Sequence, residues 1–575
     1  MKQLLNYLKK YYKMVLLGIV CMIVEVIMDL SLPLLMEQII DAGISHNDTN
    51  LILRLTVIMI TVAIVGLITG GAGHIYAVMT SQSVASDIRL DVFRKIQSFS
   101  FGNLDKTESG KLITVLTSDV ANIQRFFLIM LILMVRTPIL LVGIISIILR
   151  KSMMSGLILV GIVIILHIIM YVLVNKSKLL FDKVQESIDK INAVILENLK
   201  GIRVVKSFVR GDYEIKRFNQ KSANLRNNMV RASKVSEIII PIMMLALNIS
   251  IVIILWIGGK EVQSGFLSVG EISAIIYYVL RLLGVFKMLG RMLLQIARSS
   301  ASIKRVNDIL KVKPHIDETR DGEKTFKMKG ALEFKNVDFS YGGDNKDKAL
   351  KNISFKINEG ETLAILGSTA SGKSTLVNLI PRFYDATGGE VLIDGYNVKD
   401  IKAQVLRENI AISMQESIIF SGAIKDNIAY ATSSYTASEI LKISEYAGAR
   451  EFIDSMKDGL DTHISQRGVN LSGGQKQRIS IARALMVNPK ILILDDSTSA
   501  IDLRTERLIK KSLQENFDDT TIIIVAQRIS SAINADRIIV LDEGQIVANG
   551  NHKQLIEHSQ VYQAIYKSQL REEVM

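Results

Sequence analysis

Gly367, Ser368, Thr369, Ala370, Ser371, Gly372, Lys373 and Ser374 follow directly on the apolar run 362–366 and precede the helix-compatible run 375–380. The spacing GxxxxGK[ST] between a strand and a helix is that of a phosphate-cradling loop. Its glycines let successive backbone N–H groups turn inward, and the following helix adds its positive end. Lys373 is expected to reach the outer phosphates and the Ser374 hydroxyl to ligate Mg²⁺, with Thr375 completing a site for a nucleoside triphosphate. Upstream, Tyr341 ends the run Val-Asp-Phe-Ser-Tyr, where an aromatic either stacks on adenine or simply packs. Downstream, Ile491-Leu-Ile-Leu-Asp495 reads as a buried strand ending in a carboxylate, which would hold Mg²⁺ opposite Ser374.

Leu471, Ser472, Gly473, Gly474 and Gln475 open a helical run and offer a second phosphate-binding surface, made of a hydroxyl, glycine amides and a helix dipole. With one nucleotide already held at 367–374, this surface is expected to face a phosphate bound on another subunit. At these residues the chain resembles the ABC transporter family, and the likeness extends over its whole length, as in type IV exporter half-transporters. The resemblance implies an all-α six-helix transmembrane domain with long cytoplasmic helical extensions. An α/β ABC ATPase domain follows, with a RecA-like core, a helical subdomain and an antiparallel β subdomain. It also implies that Gln415 joins Mg²⁺ to the transmembrane contact and that Ser499, Ala500, Ile501 and Asp502 cross the dimer interface. The breaks near 98–107 and 207–215 look like coupling helices, in which Phe101, Phe208 and Tyr213 either anchor to the ATPase domains or pack the helical hairpins.

Two departures from the family pattern concern hydrolysis. The position after Asp495, normally Glu, is Asp496, whose carboxylate is withdrawn by about 1.5 Å where a base must approach water closely. The switch position, normally His, is Gln527, which can hydrogen-bond a phosphate but cannot carry a proton. Together with an intact signature, these losses resemble the degenerate-site subunit of bacterial heterodimeric multidrug ABC exporters. A partner half-transporter with Glu, His and an altered signature is expected; the alternative is an active homodimer. Ala370, where Gly is common, is expected to weaken ATP binding without abolishing it, and Gln466 replaces an acidic residue often found before the signature.

Apolar runs near 14–36, 51–79, 128–149, 153–174, 237–258 and 271–297 supply the elements before this site, several of them approaching or exceeding the ~20 residues that cross a bilayer. Glu25, Asp29 and Pro33 fit a signal peptide badly, so the first run reads as a retained span. The net charge of +13 is placed by topology rather than for nucleic acid. Lys2, Lys9, Lys10 and Lys13 precede the first span and fourteen Lys and Arg lie in 175–236, whereas loop 42–50 has none, which puts the N-terminus and the ATPase domain in the cytoplasm of a multi-pass plasma-membrane protein. The only cysteine, Cys21, excludes an intrachain disulfide. Residues 1–300 read as the transmembrane domain, 301–330 as a polar linker, and 331–570 as the nucleotide-binding domain, with strand-like runs at 331–339, 362–366, 491–494, 521–525 and 537–541.

Glu25 and Asp29 share a helical face in span one, where carboxylates are costly and face a cavity or a cation. They form either a site for cationic drugs or an internal ion pair with Arg136 or Arg291, while Asp41 is placed to close an external gate. Met-rich spans suit small hydrophobic substrates beside membrane lipid. Multidrug export by alternating access is the leading expectation. Lipid or peptide export is the alternative, and the direct lead from Lys2–Lys13 into span one weighs against peptide processing.

Overall fold

Apolar runs and the amphipathic runs beyond them form continuous helices in the computed structural model, which describes residues 2–316, 327–341, 347–432 and 434–574. The chain divides into two compact units, Met1–Gln97 with Ser109–Val312 and Ser98–Glu108 with Lys313–Met575.

In the first unit, among the described residues, six helices are long and apolar enough to cross a membrane: Tyr12–Ile44, Thr49–Gln97, Ser109–Lys151, Met153–Lys200, Gly211–Gln263 and Val269–Phe286. The 48-residue helix Met153–Lys200 is about 70 Å long at 1.5 Å per residue, more than twice an apolar bilayer core. Its apolar end therefore spans while its charged end extends into water. Pro33 lies within Tyr12–Gln38, and the turn after it, Ile39–Ile44, is π-wound. The last helix continues to Lys311, so residues 301–311 are helical rather than the linker expected there. Ile303, Val306 and Ile309 recur at helical spacing and are buried, and Arg305 grips the buried Asp119 carboxylate with two guanidinium nitrogens. Apolar period and ion pair outweigh the polar composition. The rest of the expected linker lies partly outside the described residues.

In the second unit a six-stranded sheet runs in the order Gln545–Gly550, Arg537–Asp542, Thr362–Gly367, Thr521–Val525, Ile491–Asp495, Ile410–Ser413. All neighbours are parallel except the first pair. Every residue of Ile491–Asp495 is buried, as befits a strand covered on both faces. A four-stranded antiparallel sheet is formed by Leu350–Ile357, Leu332–Phe339, Gly388–Ile393 and Tyr396–Asn397. Helices Ala437–Tyr446, Arg450–Asp454 and Gly473–Leu485 pack around a separate core containing Ile440, Phe452 and Ile479. This arrangement places the loop 367–374 at the carboxyl end of a central parallel strand, where α/β sheets take ligands.

Candidate nucleotide site

Two glycines shape the phosphate loop. A Cβ on Gly367 would meet the Leu541 carbonyl oxygen at 2.3 Å, and Gly372 holds φ 102 where a Cβ would meet the Ala349 carbonyl oxygen at 3.0 Å. Ala370 also adopts a left-handed backbone, φ 65, so its departure from Gly acts through conformation, at about 1–2 kcal/mol, and not only through the space a methyl fills. Ser368, Thr369 and Ala370 are exposed, while Ser371 is buried with no partner for its hydroxyl among the described residues. The Lys373 ammonium donates to the Gly367 and Ser368 carbonyls at 2.8 and 2.6 Å, and burial pulls its pKa down. Such a desolvated cation, held by a glycine-flanked loop that leads into a helix, fits a polyphosphate.

The Ser374 hydroxyl donates to Asp495 Oδ1 at 3.3 Å, and burial raises the Asp495 pKa. Hydroxyl and carboxylate are the hard oxygen donors a magnesium ion accepts. Among the described residues no group of three His, Cys, Asp or Glu side chains converges, so such an ion would take its remaining oxygens from phosphate and water. The Tyr341 ring is half exposed; its hydroxyl lies 3.0 Å from that of Thr375, and Phe339 and Tyr384 meet it edge-on.

Asp496 Oδ2 accepts from Gln527 Nε2 at 3.0 Å and from Gln415 Nε2 at 3.4 Å. Three predicted site residues thus meet at one oxygen. Asp496 holds φ 48, and burial raises its pKa against the opposing pull of Lys373 and Arg528.

The signature residues stand apart from this cluster. Ser472 caps the helix Gly473–Leu485 in a reciprocal capping box with Gln475, Leu471 is buried, and Ser472 and Gly473 are exposed. Among the described residues no hydrogen bond joins this surface to residues 367–374. Gln477, which the sequence did not single out, ties the helix to the 499–502 loop: its Oε1 accepts from Ala500 N at 3.0 Å and its Nε2 donates to Ser499 Oγ at 3.4 Å. The close approach leaves no space for a side chain at Gly474, where a Cβ would meet the Ala500 carbonyl oxygen at 2.8 Å. Ile501 is buried and Asp502 caps the next helix by accepting from Thr505 N at 2.9 Å, which lowers its pKa. Tyr384 was missed as well; its hydroxyl donates to Asp105 Oδ2 at 2.7 Å. No local pattern marks Gln477 or Tyr384, because each acts through residues distant in sequence.

The aromatic candidates in the two breaks differ. Phe101 stacks on Phe383 with centroids 4.3 Å apart, whereas Phe208 and Tyr213 are 73% and 60% exposed beside Val209 at 88%. In the first unit, Arg136 bridges Glu25 at 3.1 Å and Asp29 at 3.3 Å, and Arg281 meets Asp29 at 2.5 Å. The Arg291 side chain lies outside the described residues. Asp41 accepts from the Ser268 hydroxyl and from Gly270 N, fastening the end of the first span to the start of the last helix.

Together the fold and site define a membrane-embedded helical domain joined to an ATP-binding cassette. The family model described as "ABC transporter transmembrane region" matches residues 15–286, and the one described as "ABC transporter" matches residues 350–499. The uncharacterized ABC transporter ATP-binding protein YfiB of Bacillus subtilis is 38% identical over 573 residues, covering 100% of this chain and 99% of that protein. An ATP-dependent lipid A-core flippase of Desulfotalea psychrophila is 34% identical, covering 84% of this chain and 83% of that protein. YgaD of Bacillus subtilis, provisionally named a multidrug export ATP-binding/permease protein, is 31% identical with 99% of both chains covered. A bacterial Atm1-family ABC exporter solved with ATP bound shares the fold at TM-score 0.80 and 24% identity, with 98% of both chains covered. The chain belongs to the ABC transporter family. It is a multi-pass plasma-membrane protein whose cytoplasmic ABC domain binds nucleotide and couples its hydrolysis to transport.

Proposed function

We propose that this chain is the degenerate-site half of a heterodimeric ABC exporter that moves hydrophobic or amphipathic compounds out of the cell. The observation that carries the reading is the Gln527–Asp496 contact of 3.0 Å, together with a signature helix whose capped N-terminal end, at Ser472 and Gly473, is exposed. One oxygen of the shortened candidate base, Asp496 Oδ2, is engaged by two amide donors, Gln527 and Gln415, neither of which relays a proton. Loss of a general base removes typically ~10²–10⁴-fold in rate. The site is therefore built to hold ATP and to turn it over slowly.

In this mechanism Tyr341 stacks the base, the amides of 367–374 and Lys373 hold the phosphates, and Ser374, Asp495 and Gln415 would hold Mg²⁺. Bound there, the ion would neutralise negative charge on the phosphates. Ser472, Gly473 and Gly474 would face the nucleotide of the partner and complete its competent site. Gln477, bonded to both Ala500 and Ser499, would couple the signature helix to the 499–502 loop. Phe208, Val209 and Tyr213, exposed in this chain, suit a docking tip for the partner's ATPase domain, while Phe101 is seated on its own. Closure of the two domains around ATP then shifts the spans towards an outward-facing state by as much as ATP prefers the closed form.

Pairing of Glu25 and Asp29 with two guanidinium groups leaves that cluster without net negative charge, which favours an apolar over a cation-selective cavity. Lipid export is the second reading, favoured by the flippase relative. Purification of the tagged chain from its native membrane tests the pairing. The co-purifying half-transporter should carry Glu after its Walker B Asp, a switch His and an altered signature. A homodimer alone would overturn the reading.

A further inference from the structure

The switch residue is held from an unexpected direction. Thr521–Val525 delivers the chain to an arch whose flanks, Ala526 and Ile529, are buried while Gln527 and Arg528 are exposed. The short helix Ile529–Ala532 that follows receives no cap from the Arg528 side chain. Its leading N–H, on Ile529, donates instead to Gln569 Oε1 at 2.7 Å, and Gln569 Nε2 donates to the Gln527 carbonyl at 2.8 Å across a separation of 42 residues. One side-chain amide thus satisfies a donor and an acceptor on either side of the arch. Gln569 belongs to the C-terminal helix Gln560–Val574, whose fully buried Tyr562 shares a core with Ala526 and Ile529. Tyr562 fixes the helix and Gln569, two turns on, fixes the arch.

We infer that Gln569 is a positioning residue for the switch loop: the C-terminal helix sets where the Gln527 amide points, and so sets the preference of this site for ATP over ADP. The inference rests on the reading of Gln527 as the residue that senses the third phosphate. Backbone groups freed from the Gln569 clamp can rehydrate, because the arch is exposed. The arch then samples orientations in which Gln527 misses the phosphate, and one neutral hydrogen bond is worth about five- to tenfold in affinity.

The test uses the full-length chain in lipid nanodiscs, with displacement of a fluorescent ATP analogue by ATP and by ADP in the presence of Mg²⁺. Gln527→Ala should lower the ATP-to-ADP affinity ratio, and Gln569→Ala should lower it by about three- to tenfold. Gln569→Glu keeps the acceptor for Ile529 N–H and replaces the donor to Gln527 with a carboxylate oxygen that its carbonyl repels, so it should act in the same direction without fraying the helix. In the Gln527→Ala background, Gln569→Ala should add nothing further. If Gln527→Ala lowers the ratio but both Gln569 variants leave it unchanged, the clamp is refuted and the switch reading stands. If Gln569→Ala lowers the ratio equally with and without Gln527, it acts by another route and the inference fails. If Gln527→Ala has no effect, the switch reading fails and the inference with it.

Discussion

Replacing Arg136 with Met should unsettle the transmembrane unit far more than replacing Arg281. Arg136 Nη2 lies 3.1 Å from Glu25 Oε1 and 3.3 Å from Asp29 Oδ2, and it is the only partner Glu25 has among the described residues. The second Glu25 oxygen is buried without a partner. Arg136→Met therefore strands the Glu25 carboxylate, while Asp29 retains Arg281 at 2.5 Å. Breaking a buried pair on one side costs about 3–5 kcal/mol, and the partial exposure of this cluster (side chains 11–28%) places the expectation near the lower end, about 3 kcal/mol. Arg281→Met leaves Arg136 holding both carboxylates and should cost clearly less. Glu25→Gln in the Arg136→Met background removes the stranded charge and should restore at least half of the loss, a coupling of about 1.5 kcal/mol or more. Thermal unfolding in nanodiscs reads the order: Arg136→Met lowest, then the double variant near Arg281→Met, then wild type. Wild-type stability of Arg136→Met, or failure of Glu25→Gln to rescue it, would refute the reasoning.

Three further outcomes are expected. Asp496→Glu combined with Gln527→His should raise phosphate release by a homodimer of this chain about 10²-fold, with much smaller gains from either change alone, because the two side chains occupy each other. Tyr384→Phe deletes a 2.7 Å bond to the Asp105 carboxylate beside Phe101; hydrolysis by the assembled transporter should stay near wild type while vesicle transport per ATP falls. Gly270→Ala would bring a Cβ to 2.6 Å from the Glu37 carbonyl oxygen and from Asp41 Oδ2, and should lower the unfolding midpoint by an overpacking cost of about 1–3 kcal/mol.

What the sequence revealed and what it hid divide along a physical line. The phosphate loop, Ile491–Asp495 and the signature are contiguous strings whose spacing carries their chemistry, so they were legible, as were the apolar spans. The antiparallel strands were harder: Asn336 and Asn352 take positive φ in Leu332–Phe339 and Leu350–Ile357, and register shifts interrupt their alternation. The helical run to Lys311 was masked by polar residues whose stabilising partner, Asp119, is 186 positions away. Gln477, Tyr384 and Gln569 share that character, since each is meaningful only once distant segments meet. Conversely, the departures from the family pattern at Asp496 and Gln527 were visible as two separate letters, but not as a single hydrogen-bonded pair.

Steady-state phosphate release from the purified chain, measured alone and then co-assembled with a half-transporter carrying the complementary Glu and His, reaches the central claim most directly. The account predicts ATP binding with little release alone, and rapid release that is abolished when the partner's Glu is changed to Gln. Brisk turnover by the chain by itself, at a rate the partner does not raise, would contradict it.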